Sequence, residues 1–495
     1  MTSDEGIQKK LKEGSKLLRE HIDEGLLVQV ITHNDADGLT AGAIMHKALM
    51  REDCGVQTRC QKQLNEEIVK ELSKENKDVI IFTDCGSGQL DNINECLLEK
   101  THVYVLDHHQ TKELDHPNLV HINPHNHGMD GARAVSGSGV TYLFSKALNP
   151  DNIDMAHLAI IGAAGDMQDP EGKMTGLNIG IMEDGEKAGV LKVEKDLRIW
   201  GRQTRPLYKS LSYTSEPHIP GLSGNESACI QFLNDLGIPV KREDGEMTRL
   251  VDLSKDEKKR LSNTLVLRML EHGIPTKKAE SLIGEVYTIT DEKERTNLRD
   301  AREYVTILNA CGRYEKYGVG LAICLGDRGS LYEAGMNLLV EHKKYLSGCY
   351  TWISNNSDAI EDREVLYTFH VHNELDENVI GTVTTMVISS GNLKPIKPVI
   401  GFVETTNGGI KGSSRGTKEL IQEGLNLGEV MMNAAKEVGG EGGGHNIAAG
   451  AQMEMGKEEE FLKHAVEIIK DQLYKDNTNS KETTFSHLEQ KPNQK

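Results

Sequence analysis

Four short stretches carry the residue types of a hydrolytic metal centre. His33-Asn34-Asp35-Ala36-Asp37-Gly38 offers an imidazole and two carboxylates at alternate positions, which project to one side if the backbone stays extended. Thr83-Asp84-Cys85-Gly86 adds a carboxylate, Asp107-His108-His109 a carboxylate and two imidazoles, and Gly162-Ala163-Ala164-Gly165-Asp166 one carboxylate more. An oxygen- and imidazole-rich set suits Mn²⁺ or Mg²⁺ better than a structural zinc site, which recruits cysteine. Carboxylates this numerous repel one another unless cations lie between them. Two cations about 3.5–4 Å apart can clamp the attacking and leaving oxygens of a phosphoryl group. Taken singly, each stretch has a plainer reading: Asp35, Asp37 and Asp166 as helix caps, Asp84 as a turn residue, His33 as a surface residue, the Asp-His-His triplet as chance.

What unites them is the element each one follows. Apolar runs at Leu26–Ile31, Val79–Phe82, Val103–Leu106 and Leu158–Ile161 read as buried strands, each running directly into one of the four stretches. Helix-like periodicity at 4–22 and at about 40–52, 64–74, 88–99 and 136–147 alternates with them, which predicts a doubly wound, mostly parallel α/β sheet. All four groups then lie at the carboxyl edge of one sheet, where open α/β sheets bind their ligands.

Beyond residue 170 the texture changes to long polar helix-like segments, among them 254–272 and 290–309, punctuated by Pro206, Pro217, Pro220, Pro239 and Pro275. A second strand-rich region follows, with strands expected at 366–373, 381–389 and 398–405, a turn at Asn407-Gly408-Gly409 and a helix at 426–437. We divide the chain into 1–190 with the metal site, a helical connector at 191–330, a smaller α/β domain at 331–473, and a polar tail at 474–495 that reads as disordered.

A second constellation lies in that smaller domain. Gly442-Gly443-Gly444-His445 follows a predicted helix; consecutive glycines let backbone amides approach a phosphate while the imidazole donates a hydrogen bond. A flexible hairpin is the plainer reading. Upstream, Lys411-Gly412-Ser413-Ser414-Arg415-Gly416 sets two cations beside two hydroxyls.

The H-x-D-x-D-G, T-D-C-G, D-H-H and G-x-x-G-D elements, in this order, closely resemble the signature motifs of the DHH phosphoesterase superfamily. The G-G-G-H and K-x-S-x-R elements resemble those of the DHH-associated domain, so the resemblance reaches both ends of the chain. The sequence is most similar to the RecJ-like branch, in particular its archaeal, GINS-associated nuclease type. The resemblance implies an active site in an interdomain cleft and two divalent cations, Mn²⁺ first and Mg²⁺ as the alternative. It assigns His33, Asp35 and Asp84 to one cation and Asp37, Asp84, His108 and Asp166 to the other, with Asp84 bridging. Bacterial RecJ members often carry aspartate at the position of His33. Asp107 would orient His108, and His109 would face the substrate phosphate or leaving group. Lys411, Ser413, Ser414, Arg415, Gly442, Gly443, Gly444 and His445 would bind substrate. Asn309-Ala310-Cys311-Gly312-Arg313 is similar to archaeal RecJ-like sequence; Arg313 either contacts nucleic acid or serves the domain junction.

The implied activity is exonucleolytic hydrolysis of single-stranded DNA or RNA in replication, repair or RNA processing, beside a replisome (GINS-like) or RNA-decay partner. A short-oligonucleotide or cyclic-dinucleotide phosphodiesterase is the first alternative. A non-catalytic replisome scaffold is the second, although such relatives lose metal carboxylates and none is lost here. A family II pyrophosphatase is disfavoured by the G-G-G-H element. The bulk properties bear on this unevenly. A net charge of −19 over 495 residues argues against a broadly basic nucleic-acid-binding surface and demands a local basic groove. Eight cysteines without C-x-x-C spacing, no leader-like N-terminus and no run of roughly 20 apolar residues point to a reducing cytosol and no membrane. Thr484-Phe485-Ser486-His487-Leu488 in the tail has the apolar residues of a docking peptide, with an inert end as the plainer reading.

Overall fold

The computed structural model describes residues 3–214, 217–372, 377–389, 393–394 and 396–474, which form two compact units, 1–341 and 342–495. The polar tail from 475 and its Thr484–Leu488 stretch lie outside the described residues.

The first unit opens with α1 (Ser3–Asp23) and a five-stranded sheet made of β1 (Val28–His33), β2 (Val56–Gln61), β3 (Val79–Thr83), β4 (His102–Leu106) and β5 (Leu119–Ile122). The strands run in the order β2-β1-β3-β4-β5 and every pair is parallel. Alternate residues face opposite layers: Val30, Ile81 and Tyr104 join the core beneath α1, α2 (Ala36–Arg51) and α5 (Gly137–Leu148), whereas Ile31, Ile80 and Phe82 pack with α3 (Glu66–Leu72) and α4 (Leu90–Cys96). In this order the winding reverses between β1 and β3, which opens a crevice at their carboxyl ends.

The fourth expected strand is instead a helix. Leu158–Ile161 falls inside α6 (Ala156–Gly165), almost wholly buried and apolar all round, so periodicity carries no signal to separate it from a buried strand. Its small residues let α2 and α5 approach closely: a Cβ on Gly162 would stand 2.4 Å from an Asp37 oxygen. Two strands of this sheet went unread, β2 because its residues are mostly half-buried and polar, and β5 because it is four residues long.

After α7 (Leu177–Lys187), β6 (Leu191–Leu197) and β7 (Ile283–Ile289) pair antiparallel and deliver between them α8 (Leu207–Ser212), α9 (Glu226–Asp235), α10 (Lys255–Glu271) and α11 (Thr276–Glu280). These helices enclose their own core of Leu207, Leu211, Leu250, Leu261 and Leu265. α12 (Ala301–Arg313) and α13 (Tyr317–Cys324) return to the main core, and α14 (Ser330–Asn355) carries the chain across the unit boundary. The helix expected over 290–309 starts only at Ala301, where Asp300 caps it by accepting from the amides of Arg302 and Glu303.

The second unit is a mixed six-stranded sheet, β12-β13-β11-β10-β9-β8, built from β8 (Glu361–Asp362), β9 (Tyr367–His370), β10 (Val399–Glu404), β11 (Gly409–Arg415), β12 (Glu441–Gly444) and β13 (Ala448–Glu454). β9 and β10 are parallel, so a crossover must join them, and it is α15 (Ile380–Ser389). The strand expected at 381–389 is therefore a helix: Ile380, Val383 and Val387 bury one face at helical spacing, although β-branched residues dominate the segment. α16 (Lys418–Gln422), α17 (Leu427–Glu437) and α18 (Glu458–Tyr474) complete the unit.

Candidate metal centre

The crevice at the β1/β3 reversal collects the predicted ligands. Asp35 caps α2 with Oδ1, which accepts from the Gly38 amide at 2.9 Å, while Oδ2 stays 3.0 Å from His33 Nδ1. Capping and ligation are thus compatible in one carboxylate. The backbone does not stay extended through residue 37: Asp37 lies in the first turn of α2 and reaches the N-terminus of α5, accepting from the amides of Gly137 at 2.7 Å and Ser138 at 3.1 Å and from the Ser138 hydroxyl. Asp84, at the end of β3, is 2 % exposed and holds a left-handed backbone with φ +57°. That conformation costs an aspartate of order 1 kcal/mol, which the surroundings must offset. It aims the carboxylate at His33 Nδ1, 3.7 Å away, and at His108 Nε2, 3.4 Å away. A Cβ on Gly137 would stand 2.3 Å from Asp84 Oδ1, so only glycine fits there.

Three overlapping groupings have ligand atoms within 4.8 Å of one another: His33, Asp35 and Asp84; Asp37, His108 and Asp166; and Asp84, Asp107, His108 and His109. Asp84 Oδ1 also stands 3.4 Å from His108, which joins the first two. His108 Nδ1 donates to the Gly131 carbonyl at 2.9 Å, which leaves Nε2 with a lone pair facing the lone pairs of Asp84 and Asp37. Asp84 Oδ1 is buried without a hydrogen-bond partner, and buried His33 Nδ1 has only the close approach of Asp35 Oδ2, 3.0 Å away, with no well-directed hydrogen bond. Acceptors facing acceptors at these distances require a proton or a cation between them, so the donor set fits divalent metal. The electrostatics agree. Burial and the Asp37 charge push Asp84 up to about 7, and the same causes push Asp166 up to about 6. Burial alone would lower His33 and His108, but the facing carboxylates outweigh it and hold each at about 11.

Asp107 departs from expectation. Its Oδ1 accepts from the His109 ring at 2.8 Å and from the His108 backbone amide at 2.8 Å, so it steadies the ring of His109, not that of His108. Held this way, His109 is raised to about 9, first by that hydrogen bond, and its half-exposed ring stands at the rim. Arg313 lines a cavity of about 270 Å³ together with Asp35, Asp37, Asp166 and Asn309. Asn309 Oδ1 accepts from the Ala36 amide at 3.1 Å, and a Cβ on Gly312 would meet the Asn34 carbonyl at 2.1 Å, so α12 is pressed against the ligand loop. Sequence reading quoted Asn309 without giving it a role and missed Gly131, Gly137 and Ser138; the Gly-Ser-Gly opening of α5 was the available signal for the last two.

In the second unit, Lys411, Ser413 and Arg415 alternate on one face of β11. Arg415 donates to Thr385 Oγ1 at 3.0 Å, Ser413 Oγ at 3.2 Å and the Ser414 carbonyl at 2.7 Å, with no carboxylate partner among the described residues. The side chain of Ser414 turns away to the Ala449 carbonyl. Gly442, Gly443 and Gly444, expected in a loop, form the edge strand β12 against β13. The reason is packing: α17 lies so close that a Cβ on Gly442 would stand 2.3 Å from the Met431 carbonyl. His445 occupies the exposed turn between β12 and β13, beside the end of β11 that carries Arg415.

Against known families, residues 27–163 match the DHH family N-terminal domain, 199–283 the DHH-CID domain and 362–471 the DHHA1 domain. An uncharacterised protein of Methanocaldococcus jannaschii is 33% identical over 480 residues, covering 94% of this chain and 100% of that one. The single-stranded-DNA-specific exonuclease RecJ of Thermus thermophilus is 29% identical over 172 residues, 32% of this chain but only 25% of its own. Among solved structures, CDC45 from Entamoeba histolytica aligns with TM-score 0.64 at 14% identity, covering 93% of this chain and 99% of that one. Manganese-bound exonuclease RecJ aligns with TM-score 0.58 at 18% identity, covering 93% and 94%. Three family domains in order, a full-length relative and a shared fold make this chain a RecJ-like member of the DHH family.

Proposed function

We propose that the chain is a divalent-metal-dependent phosphodiesterase that trims single-stranded nucleic acid from an end. The observation that carries this reading is the convergence of His33, Asp35, Asp37, His108 and Asp166 around buried Asp84, whose Oδ1 has no hydrogen-bond partner. His33, Asp35 and Asp84 would hold one cation and Asp37, Asp84, His108 and Asp166 the other, Mn²⁺ first and Mg²⁺ as the alternative. When bound, such a pair supplies Lewis-acid activation of water and neutralises charge developing at phosphorus.

The chain's own residues supply the rest. His109, kept protonated by Asp107 and reaching the rim, donates a proton to the departing oxygen. Arg313 on the cavity wall receives a phosphate oxygen. Arg415, held by Ser413 and Thr385 and without a carboxylate partner among the described residues, binds a substrate phosphate, with Lys411 and His445 as further cationic or donor groups. On this reading 1–190 performs hydrolysis and 331–473 grips the strand. Eight free cysteines, and no helix among the described residues long and apolar enough to cross a membrane, suit a cytosolic enzyme.

The test is to incubate the protein and Asp84→Ala with end-labelled single-stranded DNA and RNA, with Mn²⁺, Mg²⁺ or chelator, and resolve the products. A metal-dependent ladder from one end, absent in the variant, supports the assignment. Intact long chains with cleaved dinucleotides would point to a small-substrate phosphodiesterase. The likeness to CDC45 favours one other reading, a replisome scaffold; complete inactivity with retained metal binding would support it.

A further inference from the structure

Gln168 was no part of the predicted ligand set, yet it is wholly buried two residues after Asp166. It arrives there through the way α6 ends. Asp166 is the C-cap, Met167 takes the left-handed conformation with φ +55°, and the Gln168 amide donates back to the Ala163 carbonyl at 3.0 Å. This is the Schellman closure, with methionine where glycine is usual. It turns the Met167 side chain to solvent, 72% exposed, and the Gln168 side chain inward.

There one amide reaches two ligands of the same proposed cation. Gln168 Nε2 donates to Asp166 Oδ2 at 3.2 Å and to the Gly131 carbonyl at 2.9 Å. That carbonyl also accepts from His108 Nδ1 at 2.9 Å. The orientation of the amide is fixed from behind by Asn178, fully buried on α7, whose Nδ2 donates to Gln168 Oε1 at 2.8 Å. Only glycine fits at 131, because a Cβ there would stand 2.0 Å from the His108 carbonyl. Asp37, the third ligand of the group, is held separately by the N-terminus of α5.

We propose that Gln168, seated by Asn178, is a positioning residue that sets the affinity of the cation site formed by Asp37, His108 and Asp166, leaving the His33–Asp35–Asp84 site to its own supports. The inference rests on the two-cation reading above. Gln168 restrains the Asp166 carboxylate, and through the shared Gly131 carbonyl it keeps the His108 tautomer that presents Nε2 to the site. Partners of this kind typically contribute about 10–100-fold to metal affinity.

The experiment is a Mn²⁺ titration of the full chain, followed by calorimetry and by the electron paramagnetic resonance signal of free Mn²⁺, for wild type, Gln168→Leu, Gln168→Glu and Asn178→Ala. Wild type should bind two ions. Gln168→Leu should bind one as wild type does and the other about 10–100-fold more weakly. Asn178→Ala, which leaves Gln168 in place, should weaken the same ion to a smaller degree and decides the matter if Gln168→Leu does not fold. Gln168→Glu keeps the shape but sets an acceptor against Gly131 and Asp166, and should also weaken that ion alone. Equal affinities across all four proteins, or equal weakening of both ions, would overturn the inference. Fewer than two ions bound by wild type would instead overturn the two-cation reading on which it stands.

Discussion

At the residue scale, Asp84 is where burial, backbone conformation and charge meet. Its carboxyl is raised to about 7 in the fold against an ordinary value of 3.8. Between those values the folded state keeps a proton that the unfolded chain releases, so the cation-free fold loses stability as pH rises from about 4 to about 7. His33 and His108, raised to about 11, extend the same trend upward, because the fold also holds their protons above the ordinary imidazole value. Metal must displace these protons. Thermal unfolding with and without Mn²⁺, scanned from about pH 5 to about pH 9, should therefore show stabilisation by Mn²⁺ that grows with pH. A stabilisation independent of pH would contradict the assignment. Gly137→Ala tests the geometry of the same carboxylate. The added methyl must displace Asp84 Oδ1, and calorimetry should find Mn²⁺ affinity reduced at least about tenfold. The ligand types were legible in sequence because carboxylates and imidazoles directly after apolar runs state their chemistry, even where the run proved to be a helix. The supports were not: Gln168, Asn309 and Gly131 act through distances that only the folded chain defines.

At the element scale, the positions of β1, β3 and β4 could be read from their apolar runs, since strands buried on both faces leave a continuous signal. The same property misled at α6, whose burial on all sides erases helical periodicity and leaves an apolar run that a strand also gives. α15 misled for a different reason: local β-branching favours a strand, but two parallel neighbours need a crossover, and tertiary context prevails. A buried α6 carries its own prediction. Ile160, fully buried, should cost about 2–5 kcal/mol of first-unit stability when changed to alanine, measured by denaturant unfolding. A loss below about 1 kcal/mol would place Ile160 in a looser core than described. On β11, Arg415→Ala should raise KM for single-stranded oligonucleotides about tenfold or more with little change in kcat, and lower the salt dependence of binding by about one phosphate contact. An unchanged KM would remove Arg415 from the substrate-binding set.

At the scale of the whole molecule, a net charge of −19 sets the terms on which any polyanion binds. Part of that charge is concentrated at the metal centre, where Asp35, Asp37, Asp84 and Asp166 crowd one crevice, and two divalent cations would offset it. Binding of single-stranded nucleic acid should therefore depend on divalent metal as well as hydrolysis does. Changes in texture along the chain suggested three parts, whereas the fold divides into two compact units, 1–341 and 342–495; the family domains match 27–163, 199–283 and 362–471. The antiparallel β6–β7 pair that carries the connector helices was not legible, because its partner strands lie almost 90 residues apart with no local turn to announce them. The most direct test of the central claim is anomalous diffraction from crystals of the full chain soaked in Mn²⁺. The account predicts two peaks about 3.5–4 Å apart, one bounded by His33, Asp35 and Asp84 and the other by Asp37, His108 and Asp166. A single peak, or peaks away from Asp84, would contradict it.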